Sequence, residues 1–165
     1  MLAAVQIACL IAFALMLLVA AWQDLRSMRI ADGLSIGIAA SFVAWAGAGL
    51  AGGSYSLVSL GLAATCAVGV FIAGALAFAA GALGGGDVKL AAVTALYAGP
   101  GLLLDFVLVV AVSGGLLGLA ILAGAPIGPV AAGDRTVRAR LGSNLPYGPA
   151  IALGGLWVAF SLASI

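Results

Sequence analysis

The chain has 165 residues, of which 65% are hydrophobic and only 7% charged, with a formal net charge of +1. A soluble domain carries about 25% charged residues to face water, so a chain this poor in charge cannot cover itself with a polar surface and must take lipid as its solvent. The near-neutral balance gives no electrostatic case for nucleic acid as a partner.

The elements follow in chain order. A span needs about 20 apolar residues to cross a hydrocarbon core of roughly 30 Å, and residues 3–22 fit. They lack the positive flank of a signal peptide, which predicts a retained helix. The polar stretch 23–33 comes next, then a second span at 34–50 that ends in the turn signal Gly52-Gly53-Ser54. A third span covers 57–80, followed by the loop Gly84-Gly85-Gly86-Asp87-Val88-Lys89. Residues 88–123 are too long for one span. Gly99-Pro100-Gly101 divides them, because proline and glycine punctuate helices, and the reading is a short fourth helix at 88–98 and a fifth at 102–123. The sixth span is 147–165. The expected fold is an all-α integral membrane bundle of six helices in a single domain, 1–165, whose small residues permit close helix approach.

The basic residues fix an orientation. Arg26 and Arg29 follow the first span, Lys89 the third, and Arg135, Arg138 and Arg140 the fifth. With six spans these three loops share one face and the other receives no lysine or arginine. The bias places those loops in the cytoplasm and both termini outside it.

Five acidic residues carry whatever acid–base chemistry exists: Asp24, Asp32, Asp87, Asp105 and Asp134. An aspartate at the centre of a membrane helix costs roughly 2.5 to 3.5 kcal/mol on insertion scales, so each needs a reason. Asp24 ends the first span and Asp87 opens the fourth, which puts both at one membrane depth. Two carboxylates at close range cannot both ionise freely. One then keeps a proton while the other is a base, and together they can activate a water and protonate a leaving amine. The absence of histidine rules out a serine–histidine–acid set and removes the usual base for a cysteine nucleophile. With neither histidine nor a CxxC pair, no cofactor or metal is expected, and Cys9 and Cys66 read as small packing residues.

Other roles compete for each acid. Asp24 could be a solvated interfacial residue paired with Arg26 or Arg29, and Asp87 a helix cap. Asp32, beside Gly33, reads as a turn or cap at the start of the second helix. Asp105 suits the positive end of the fifth helix, Asp134 a solvated loop, and Lys89 can snorkel to the interface. The run Gly84-Gly85-Gly86 lets backbone approach a partner and adopt positive φ, as an unwound substrate beside Asp87 would require. It is not a phosphate loop, since no Lys-Ser/Thr follows. A transporter or a proton or cation pathway is the main alternative, although such a site belongs near the midplane.

Three segments resemble one family. Gly84-Gly85-Gly86-Asp87-Val88-Lys89 resembles the GxGD signature of type IV prepilin leader peptidases, Asp24-Leu25-Arg26 with Arg29-Ile30 its first-aspartate segment, and Pro146-Tyr147-Gly148-Pro149-Ala150 the start of its last helix. The resemblance implies an aspartyl endopeptidase of the bacterial inner membrane. Such an enzyme cuts the short basic leader from type IV prepilins or pseudopilins at the cytoplasmic face and works with pilus or secretion assembly machinery. Asp24 and Asp87 match the two catalytic aspartates. Gly84, Gly85, Gly86, Lys89 and Tyr147 fall in the supporting segments. The short chain looks like the peptidases of tight-adherence (Flp) systems. It differs in reading Ile30-Ala31-Asp32 where the family often has Ile-Pro-Asn. It also lacks the cysteine-bearing cytoplasmic insertion of long members, so methylation by that route is not expected. Related intramembrane proteases that cut other helices are longer, and a catalytically silent assembly factor would have little use for both aspartates.

Overall fold

The computed structural model describes residues 1–123 and 146–164. These form five helices: α1 (Leu2–Ser27), α2 (Asp32–Gly52), α3 (Leu57–Ala79), α4 (Gly85–Leu122) and α5 (Gly148–Ala163). Four of them, α1 to α4, are long and apolar enough to cross a membrane, while α5 is shorter at 16 residues. Large side chains such as Ile11, Val43, Leu76, Leu116 and Phe160 lie exposed around the bundle. In water such a surface would aggregate, whereas in lipid it is the solvated face. The chain is a multi-pass membrane protein.

The predicted break in 88–123 falls at Gly99, whose φ of 53° and ψ of −170° interrupt α4. A Cβ disfavours this conformation, which is why glycine stands there. Pro100 follows at the first position of the second arm, where its missing N–H costs nothing. α4 thus has a short N-terminal arm (85–98) and a long C-terminal arm (100–122). The short arm runs through the core: Leu90, Thr94, Ala95, Tyr97 and Ala98 are buried. Tyr97 stacks on Phe13 at a centroid distance of 4.1 Å, and its hydroxyl meets Ser41 Oγ at 2.8 Å. That bond removes the cost of burying the phenol.

The polar stretch 23–33 is mostly helical. α1 runs through Asp24 to Ser27, and Met28 ends it in the left-handed conformation with φ 51°. The Gln23 side-chain oxygen accepts from the Ala31 N–H at 3.1 Å, and Arg26 lies over the Trp22 ring at 4.3 Å. These local partners let α1 continue through residues that hydropathy alone would assign to a loop, so only Met28 to Ala31 link α1 to α2. α1 packs on α2 and α5, and α4 packs on α2, α3 and α5. α3 is peripheral, with Ala63 alone buried. Asp134, Arg135, Arg138 and Arg140, on which part of the orientation rests, lie outside the described residues.

Candidate active site

Asp24 and Asp87 are 4% and 6% exposed. They arrive from opposite ends of their helices, Asp24 in the last turn of α1 and Asp87 in the first turn of α4. Both line one cavity of about 550 Å³. The rest of its lining is the linker residues Met28, Arg29 and Ile30, Asp32, Phe78 at the end of α3, Gly81, and the segment Leu83 to Gly86.

Each aspartate is held through one oxygen by a backbone amide. Gly148 N–H donates to Asp24 Oδ2 at 2.7 Å, and Gly84 N–H donates to Asp87 Oδ2 at 3.2 Å. Charge-assisted bonds of this kind are about twice as strong as neutral ones. Both donors are glycines for a steric reason. A Cβ on Gly148 would lie 2.7 Å from Asp24 Cβ, and one on Gly84 would lie 2.8 Å from Asp87 Oδ2. Asp87 Oδ1 is buried with no hydrogen-bond partner among the described residues. Buried orphan oxygens of this kind are costly and are found where chemistry needs an unused lone pair.

Several sequence readings change here. Asp24 is not ion-paired with Arg26 or Arg29; its partner is Gly148, at the start of α5. Asp87 is not an N-cap but the third residue of α4, reaching back to the N-cap residue Gly84 as in half of a capping box. The glycine run does not use positive φ. Gly84 has φ −78°, Gly85 and Gly86 belong to α4, and the glycines with positive φ among the described residues are Gly53, Gly81 and Gly99. What the run supplies is close approach: a Cβ on Gly86 would meet Ile30 Cβ at 3.2 Å. Asp32 is not a cap either. It is the first residue of α2, makes no capping bond, and pairs with Lys89 Nζ at 2.7 Å. Lys89 is turned away from the cavity into this exposed ion pair. Tyr147, the N-cap residue of α5, lies against Gly114 and borders a different space that also touches Asp87. Asp105 is exposed on the C-terminal arm, beyond the Gly99 break from Asp87.

Gly148 is the site residue that sequence reasoning passed over in favour of its neighbour Tyr147. A usable signal was present: a glycine between Pro146 and Pro149, at a helix start, with no turn for it to make.

The family model described as the Type IV leader peptidase family matches residues 11–119. The chain belongs to that family. The matched stretch contains Asp24, Gly84 to Gly86 and Asp87, and stops short of Gly148. Comparison with the curated proteins and with the solved structures gave no match. Membership of the leader peptidase family makes the chain a peptidase, and its apolar helices make it a membrane-embedded one.

Proposed function

We propose that this leader peptidase family member is an aspartyl endopeptidase that removes the short basic leader from type IV prepilins or pseudopilins, of the Flp type, at the cytoplasmic face of the bacterial inner membrane. The observation that carries the reading is the meeting of Asp24 and Asp87, two nearly fully buried carboxylates far apart in sequence, on one cavity. The pair shares a proton. The ionised member takes a proton from a water whose oxygen attacks the scissile carbonyl carbon. The protonated member gives its proton to the leaving nitrogen as the C–N bond breaks. Asp87 Oδ1, which has no hydrogen-bond partner among the described residues, suits the contact with water or substrate. Gly84 and Gly148 hold the two carboxylates, and Gly86 brings Asp87 up to the α1–α2 linker.

Counting the two arms of α4 as separate crossings and α5 as the last gives six spans with both termini outside. Arg26, Arg29, Lys89, Arg135, Arg138 and Arg140 then all face the cytoplasm. The short arm 85–98 is about 21 Å long against a core of about 30 Å. With Gly99 at the outer interface, Asp87 sits roughly 10 Å below the inner surface, and the cavity is its supply of water. The cavity wall is α1, its linker to α2, and the α3–α4 turn, while α5 backs Asp24 through Gly148.

The test is leader removal from a co-expressed prepilin, read on a gel. Asp24→Asn and Asp87→Asn are each expected to abolish processing while the protein still inserts. Cutting near the wild-type rate by either variant rejects the dyad.

A further inference from the structure

Asp87 borders two spaces. Besides the cavity it shares with Asp24, it lines an apolar trough of about 710 Å³ between α3 and the C-terminal arm of α4. Leu83 also lines both, so the two spaces adjoin at Leu83 and the aspartate. The trough walls are small: Ala73 and Ala77 on α3 face Ala111 and Gly115 on α4, with Val88, Ala91 and Ile151 beneath. From Val107 to Leu122 its long wall runs about 22 Å at the α-helical rise, most of a membrane thickness.

We propose that this trough seats the apolar transmembrane helix of the protein substrate and delivers its cytoplasmic end to Asp87. The proposal rests on the peptidase reading above and adds where the substrate lies. Two observations choose a helix over a lipid tail. Small facing residues are what allow one membrane helix to approach others closely. The trough lining also includes Asp87, whose Oδ1 is buried with no hydrogen-bond partner among the described residues. An acyl chain offers no donor to that oxygen, so lipid there leaves it unsatisfied. A substrate helix that unwinds at its end offers backbone N–H groups.

The experiment is disulfide crosslinking in membranes. The enzyme carries Cys9→Ala and Cys66→Ala, plus Ala111→Cys or Gly115→Cys in the trough, or Leu116→Cys on the neighbouring lipid face. Gly115 has nothing within 4 Å of an added Cβ, so the substitution fits the fold. The probe is a prepilin with a basic leader, a glycine and an apolar span bearing one cysteine. Adducts at Ala111→Cys and Gly115→Cys are expected at about ten times the yield at Leu116→Cys, because docking raises the local concentration. Equal yields at all three positions mean that the substrate only diffuses past in lipid, and overturn the assignment. Enzyme–enzyme dimers through Gly115→Cys in place of substrate adducts give the trough to a second copy, and overturn it too. Leader removal is read on the same gel. Cutting without trough adducts rejects the docking site and leaves the peptidase reading standing, whereas trough adducts without cutting support the docking site and reject the peptidase reading.

Discussion

Gly148→Ala tests the site through a residue that has no chemistry of its own. The added methyl would lie 2.7 Å from Asp24 Cβ, 2.8 Å from Oδ2 and 3.0 Å from Cγ. Carbon atoms prefer about 3.5 Å or more, so α5 and α1 must part by about 0.8 Å or Asp24 must leave its rotamer. Asp24 Cβ is fixed to the backbone and cannot swing aside as a side-chain tip does. Overpacking of this sort costs about 1–3 kcal/mol, and stretching the amide–carboxylate bond adds about 1.5–3 kcal/mol. A misplacement near 1 Å at a reacting group costs about 100-fold in rate. The expected result is a kcat about 100-fold down with KM within a few-fold, measured as leader removal by protein that inserts normally. Gly47→Ala, with nothing within 4 Å of its added Cβ, is the control and should cut as the parent does. A Gly148→Ala enzyme that keeps wild-type kcat refutes the view that the Gly148 amide positions Asp24.

Further expectations follow from the same geometry. The rate–pH profile of a proton-sharing pair is bell-shaped and unchanged by EDTA; activity lost to chelation and restored by zinc would reject the metal-free route. Lys89→Met breaks an exposed ion pair and should cost at most about 1 kcal/mol in unfolding stability, with cleavage within a few-fold; loss of cleavage would restore Lys89 to the site. Asp105→Asn should leave processing within a few-fold, and abolished proton-coupled transport in that variant would favour a transporter instead.

Hydropathy made the helical class and most helix ends readable, and Gly99-Pro100-Gly101 marked the broken helix because backbone chemistry there is local. The pairing of Asp24 with Asp87 was also within reach, since span counting places both at one depth. What could not be read is what depends on helix rotation. Lys89 sits two residues after Asp87, which on a helix turns it away from the aspartate's face, and it meets Asp32 instead. The partner of Asp24 is an amide, identical at every position in sequence terms, so the flanking prolines single out Gly148 as unusual but only packing pairs it with Asp24. The extension of α1 to Ser27 rested on Gln23 and Arg26 finding local partners, which a hydropathy window cannot register.

Among the described residues, each aspartate is anchored by a backbone amide and neither by a cation. An arginine anchor would weaken with salt and would hold its carboxylate in one charge state, which is a poor arrangement for a group that must gain and lose a proton each turnover. A peptide N–H is uncharged, cannot titrate, and stays in place whichever form the carboxyl takes. It also leaves no partner side chain to exchange, so no charge-swap double mutant can rescue a lost anchor. In a saturation scan the intolerance would appear most sharply at Gly148, where any side chain meets Asp24 Cβ.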